Sequence, residues 1–161
     1  MERLWTPWRR AFIEGATADT HSGCFLCTKP AEHDDRANLI LWRGERVYVL
    51  LNLYPYNSGH LMIAPYAHTG DLATLDSATA QEIMALTQRC VGVLQQAYGP
   101  EGFNLGMNLG KPAGAGVPDH LHVHVVPRWA GDTNFMPIVA GTKVLPETLD
   151  QTYVRLAPLF G

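Results

Sequence analysis

The sequence predicts an α+β fold: a mainly antiparallel sheet of about five strands, one long helix and a C-terminal extension. Two patterns carry this. Short apolar runs recur with only turn residues between them, and the stretch 76–98 keeps helical spacing throughout. Composition agrees: 161 residues, 47% hydrophobic and 17% charged, suit one globular domain that needs no disulfides to fold. Strands joined by short turns pair antiparallel.

Taken in order, residues 1–20 form an aromatic and basic arm holding Trp5, Pro7 and Trp8, ahead of a core at 21–130 and an extension at 131–161, all in one domain, 1–161. Residues 39–42 and 46–52 read as strands around a turn at Gly44. A loop at 53–59 follows, then a buried strand at 60–64 that Pro65 stops. In the helix, apolar or small residues at 80, 83, 84, 87, 90, 91, 94, 97 and 98 mark one face. Asp76, Ser77 or Thr79 caps its start and Gly99-Pro100 ends it. Cys90 lies on that face, which makes it a buried, inert thiol. Strands at 103–108 and 121–126 flank the glycine-rich segment 110–119. The extension holds Asn134-Phe-Met-Pro137, another short apolar strand and a helix from Pro146.

A net charge of −3 gives no general reason to bind a nucleic-acid polymer or a membrane. No segment approaches a membrane span and the N-terminus has no apolar signal region, so the expectation is a cytoplasmic protein. Three cysteines are a poor disulfide framework. Cys24-Phe-Leu-Cys27 is half of a tetrahedral metal site, and His21, His33, His68 and His120 are the candidates for the other half. The alternative is two reduced thiols packed beneath the arm.

Most of the chemistry sits in His120-Leu-His122-Val-His124-Val-Val126-Pro127-Arg128-Trp129. Side chains alternate along a strand, so the three imidazoles share one face and Leu121, Val123 and Val125 the other. Same-face neighbours stand roughly 7 Å apart, about the span of two linked phosphates. Three uses fit: a solvated face, a metal site, or nucleophilic attack at phosphorus by a neutral imidazole.

His-Φ-His-Φ-His-Φ-Φ, with Φ apolar, resembles the signature of the histidine-triad superfamily of nucleotidyl hydrolases and transferases. The stretch from Leu51-Asn52 through Gly59-His60 to Pro65 and His68 is similar to that family's nucleotide-binding strand-loop-strand. Asn108-Leu-Gly110, Ala113-Gly114-Ala115-Gly116, Pro127-Arg-Trp129 and Gly131 to Pro137 resemble a branch that contains bacterial diadenosine tetraphosphate phosphorylases. The resemblance implies a histidine-triad fold and covalent catalysis. His122 would attack the α-phosphorus and carry the nucleotide, aimed by a backbone carbonyl on its other nitrogen. His124 and the amides of the glycine loop would stabilise charge, and His60 would face them from the neighbouring strand. Asn52 would meet the ribose, with Asn108, Gly110, Gly114, Ala115 and Gly116 as the phosphate cradle. Lys111 and Arg128 are either further phosphate contacts or surface charges.

Hydrolases of the family carry glutamine four residues before the first triad histidine; here Gly116 stands there. Glycine leaves room for inorganic phosphate as second nucleophile, so the expected reaction is phosphorolysis of diadenosine tetraphosphate to ADP and ATP. The alternatives are a hydrolase of dinucleoside polyphosphates or phosphoramidates, and a non-catalytic nucleotide-binding adaptor. The resemblance also implies a structural zinc held by Cys24, Cys27, His68 and His120, no organic cofactor, and a homodimer or homotetramer. Trp129 would stack on a base or cover the interface, while Trp42 belongs to the core.

Overall fold

The computed structural model describes residues 23–134 and 144–161. The arm with Trp5, Trp8 and His21, and most of the segment expected to form strands after Asn134, lie outside the described residues. The elements are α1 (Phe25–Ala31), β1 (Ile40–Arg43), β2 (Val47–Leu51), β3 (Leu61–Pro65), α2 (Ser77–Tyr98), β4 (Gly102–Gly106), a 3-10 turn (Lys111–Ala113), β5 (Val123–Arg128) and α3 (Leu149–Phe160). The five strands form one antiparallel sheet ordered β1-β2-β3-β5-β4. No helix among the described residues is long and apolar enough to cross a membrane.

Alternation divides the sheet into two working faces. Val47, Val49, Leu51, Leu61, Ile63, Val123 and Val125 point back into a core closed by α2 and α3. Tyr48, Leu50, Met62 and Ala64 point forward and pack with Leu26 of α1. Both faces are covered, which is why β2 and β3 read as unbroken apolar runs. Met62 pairs with His124, so the forward face places the last triad histidine beside that apolar patch. Gly106 sits opposite His124 on β4 and puts no side chain beside it.

Helix α2 starts at its expected cap: the Asp76 side chain accepts from the Thr79 amide. It ends at Gly99 in the left-handed conformation. Its buried stripe, however, is Thr79, Ile83, Leu86, Thr87, Cys90, Val93 and Leu94. Met84, assigned to the core face by the sequence, is 61% exposed, whereas Leu86 and Val93 turn inward. The helix is rotated so that Leu86, and not Met84, meets the core. Cys90 is fully buried and its thiol is pushed up to about 12 by desolvation, an inert group as expected.

The C-terminal helix begins later than Pro146, at a capping box in which Thr148 and Gln151 satisfy each other's amides. Arg89 ties this helix down, donating to the Phe160 carbonyl while its guanidinium lies 3.9 Å from the Trp42 ring centre. Trp42 is thus half-buried against the core. Helix α1 was not expected: it has seven residues, Pro30 inside it and no side-chain cap. Tertiary contacts hold it instead. Leu26 is fully buried, and the Tyr48 hydroxyl donates to the Leu26 carbonyl at 2.6 Å.

The turn before β3 depends on Gly59, which has φ +80°. A Cβ there would meet Leu94 Cδ2 at 2.9 Å and Tyr98 Cε2 at 3.0 Å. Gly59→Ala is therefore expected to destabilise the protein by about 1–3 kcal/mol through strain and crowding against α2. Urea unfolding should show a lower midpoint at unchanged slope. An unaltered midpoint would mean that the turn relaxes freely.

Candidate active site and metal-ligand cluster

The three triad histidines do not form a solvated row. His120 and His122 are 1% and 6% exposed. Strand β5 begins only at Val123, two residues later than the pattern suggested, so His120, Leu121 and His122 run up to the sheet without belonging to it. What fixes them is a set of bonds to backbone groups. Each neutral imidazole has one proton for two nitrogens, so a backbone partner on one nitrogen decides the chemistry of the other.

His122 Nδ1 lies 2.9 Å from the His120 carbonyl, which can only accept. The proton therefore sits on Nδ1 and the lone pair on Nε2. Burial holds the His122 pKa below its ordinary value, partly offset by that same hydrogen bond, so the ring is neutral at neutral pH. His60 is set the opposite way. The Tyr56 amide donates to His60 Nδ1 at 3.1 Å, which puts the His60 proton on Nε2. His60 Nε2 then donates to His124 Nδ1 at 2.9 Å, and neutral His124 carries its proton on Nε2. One main-chain amide thereby fixes two imidazoles. The Tyr56 ring backs both, with centroids 4.6 Å from His60 and 6.0 Å from His124. Tyr56 had no sequence signal, because its contribution is a backbone donor.

A cleft of about 830 Å³ opens beside these rings, lined by His122, His124, Asn52, Gly116 and the α1 residues Phe25 and Lys29. The α1 wall was missed with the helix. Asn52 Oδ1 accepts from the Tyr54 amide, which orients its carboxamide; Asn52 Nδ2 lies 3.4 Å from His60 Nε2, a contact between two donors. Asn108 Nδ2 donates to the Gly114 carbonyl. In the glycine loop, the amides of Ala113 and Ala115 donate to the Gly110 carbonyl and that of Gly114 to the Lys111 carbonyl. These groups close the turn on itself, at left-handed Gly110 and Gly114, and Ala115 is buried. Arg128 is held in an ion pair with Asp132, whose carboxyl is driven far below the carboxylate range by that bond, and by Asn104. Trp129 meets Tyr98 edge-on at 6.4 Å.

Cys24, Cys27, His68 and His120 converge, their ligand atoms all within 4.8 Å of one another. Cys24 Sγ lies 3.3 Å from His120 Nδ1, and Cys27 Sγ 3.4 and 3.5 Å from the Nδ1 atoms of His68 and His120. The two Nδ1 atoms are 3.3 Å apart. A tetrahedron with metal–sulfur bonds of ~2.3 Å and metal–nitrogen bonds of ~2.05 Å has sulfur–nitrogen edges of about 3.6 Å and nitrogen–nitrogen edges of about 3.3 Å. The His120 tautomer fits as well: Nε2 donates to the Pro65 carbonyl at 2.8 Å, so the Nδ1 lone pair faces the cluster. Of the other two candidates, His33 is exposed and outside this group, and His21 lies outside the described residues.

A long-range proton–nitrogen NMR spectrum should find His122 in the Nδ1–H form and His60 in the Nε2–H form in neutral protein. Nε2–H on His122 would contradict the bond to the His120 carbonyl.

Over 162 residues the chain is 43% identical to the AP-4-A phosphorylase of Mycobacterium tuberculosis, covering 98% of this chain and 83% of that one. It is 30% identical over 91 residues to the bis(5'-adenosyl)-triphosphatase of Saccharomyces cerevisiae, 56% of this chain and 44% of that one. The fold matches a zinc-bound histidine triad family protein from Mycobacterium smegmatis with a TM-score of 0.67 at 23% identity, covering 86% and 93% of the two chains. The HIT domain model matches residues 35–131, the span that carries the sheet, His60 and all three triad histidines, and the chain belongs to the HIT domain family.

Proposed function

We propose that the protein is a nucleotidyltransferase that phosphorolyses diadenosine tetraphosphate to ADP and ATP through a nucleotide carried on His122. The observation that carries it is the bond from His122 Nδ1 to the His120 carbonyl, which leaves a basic nitrogen on a residue lining the cleft. In the first step Nε2 bonds to the α-phosphorus and the bond from that phosphorus to the bridging oxygen breaks, releasing ATP. His124, with its proton on Nε2, donates a hydrogen bond to that oxygen. In the second step an oxygen of inorganic phosphate displaces His122, giving ADP and restoring the imidazole. Asn52 meets the ribose. Gly116 and Asn108 border the phosphate chain, while Gly110, Gly114 and Ala115 hold the loop in shape. A second depression of about 410 Å³ meets the cleft at Tyr56, Asn108 and His124, which gives the distal nucleoside somewhere to lie.

The 43% identity to an AP-4-A phosphorylase supports this reading, as does glycine at 116. The yeast triphosphatase supports hydrolysis on the same scaffold as the second reading. We read the Cys24-Cys27-His68-His120 cluster as a structural zinc site, which suits a reducing, cytoplasmic setting where both thiols stay reduced. No organic cofactor enters the scheme. A homodimer is expected through the open edge of β4, where Leu105 is about half exposed, as is Leu109 just beyond the strand.

Product analysis decides the reaction. With diadenosine tetraphosphate, phosphate-dependent ADP plus ATP is expected, and His122→Asn should lower turnover by more than ~10³-fold while nucleotide still binds. Phosphate-independent AMP plus ATP would establish hydrolysis instead, and unchanged turnover in His122→Asn would end the covalent mechanism. Light scattering after size exclusion should give twice the chain mass, halved by Leu105→Glu. A monomeric wild type would dismiss the β4 interface.

A further inference from the structure

We propose that the Cys24-Cys27-His68-His120 cluster positions the nucleophile as well as bracing the fold: the metal bound there sets the place of the His120 carbonyl, and through it the tautomer and aim of His122. The inference rests on the reading of His122 as nucleophile.

His120 carries three loads at once. Its Nδ1 faces the cluster, its Nε2 donates to the Pro65 carbonyl, and its own carbonyl accepts from His122 Nδ1. The peptide that bears this carbonyl lies outside the sheet ladder, since β5 starts at Val123. Apart from the His120 ring, its backbone is fastened by Leu121 N to the Thr69 carbonyl at 2.7 Å and by a long bond from His120 N to the Val117 carbonyl at 3.4 Å. Thr69 follows directly on His68, beyond the end of β3, so that fastening also leads back to a ligand of the cluster. The bond to His122 is 2.9 Å long, and a shift of roughly half an ångström takes it to the edge of hydrogen-bond range. Without that acceptor the ring can carry its proton on Nε2, where it is no nucleophile.

The other side of the cleft has anchors besides the cluster. Helix α1 follows Cys24 directly and contains Cys27, yet its fully buried Leu26 and the Tyr48 hydroxyl on the Leu26 carbonyl fasten it through contacts that need no metal. Loss of the metal should therefore spare nucleotide binding and strike the chemical step, a split that a merely structural site would not produce.

The test compares zinc-loaded protein with protein stripped by dipicolinate and with Cys27→Ala. In each, zinc content, far-ultraviolet circular dichroism, Kd for AMP, kcat and KM for diadenosine tetraphosphate, and the His122 ring tautomer by NMR are measured. The stripped protein is expected to stay folded and bind AMP within about threefold, with kcat lower by about 10–100-fold. His122 should change from Nδ1–H alone to a mixture of tautomers, and added zinc should reverse both changes. An unchanged tautomer and kcat without zinc would overturn the proposal. So would parallel loss of AMP binding and of the circular dichroism signal in both metal-poor preparations. If zinc-loaded protein cleaves no dinucleotide, the assigned reaction fails by itself and the tautomer comparison still decides this inference.

Discussion

An imidazole with one proton and two nitrogens must be told which nitrogen to use, and the structure around this site is largely a set of instructions to four such rings. The His120 carbonyl instructs His122, the Pro65 carbonyl instructs His120, and the Tyr56 amide instructs His60 and, through it, His124. Each of these chains of instruction starts at a backbone group. Backbone groups suit the task because the sheet and its turns hold them far more rigidly than a rotameric side chain could be held. The Gly59 turn places Tyr56 and His60 within one hydrogen bond of each other, and the end of β3 brings Pro65 under His120. Burial supplies the remaining condition. It lowers the pKa values of His120 and His122, so both rings stay neutral and a single tautomer has meaning.

The two faces of the sheet divide the labour. The rear face is apolar and fixed by α2 and α3; the forward face carries the histidines, and α1 rises from it as a cleft wall. Packing of Val123 and Val125 into the rear core pins the strand, so the neighbouring odd-even register cannot slip without turning His124 inward. A one-residue shift would exchange imidazoles for valines. The same alternation that builds the core thus guarantees the site.

Much of this was legible in the sequence where spacing alone determines geometry. The alternation of His122, Val123, His124 and Val125 survives folding; the meeting of Cys24, Cys27, His68 and His120 was implied by the family resemblance and not by spacing. What was hidden has physical causes. Helix α1 is seven residues long with Pro30 inside it, too short to show periodicity, and exists because Leu26 and Tyr48 hold it. Met84 and Leu86 are both apolar, so the rotation of α2 is decided by packing that no helical wheel contains. The Tyr56 donor leaves no trace in residue type. The resemblance implied that the glycine loop cradles an anion, yet three of its amides are spent on its own carbonyls.

Those spent amides bear on how the proposed reaction chooses its acceptor. Water at ~55 M outnumbers phosphate at ~1 mM by roughly 5 × 10⁴, a handicap of about 6.5 kcal/mol. Phosphorolysis therefore needs both a seat for phosphate and no oriented water. Effective molarities for well-placed reactants reach ~10⁵–10⁸ M, enough to reverse the ratio if the anion is held in line with His122. A loop whose amides close on themselves at 113–115 is a rigid rim and not a generous anion trap, so selectivity falls to the position beside it. Glycine at 116 has no side chain to present water to the phosphorus, and it lines the cleft next to His122 and His124. On this reading the choice of acceptor is made by a missing side chain: space for a tetrahedral anion is kept, and the polar group that would aim a water is absent.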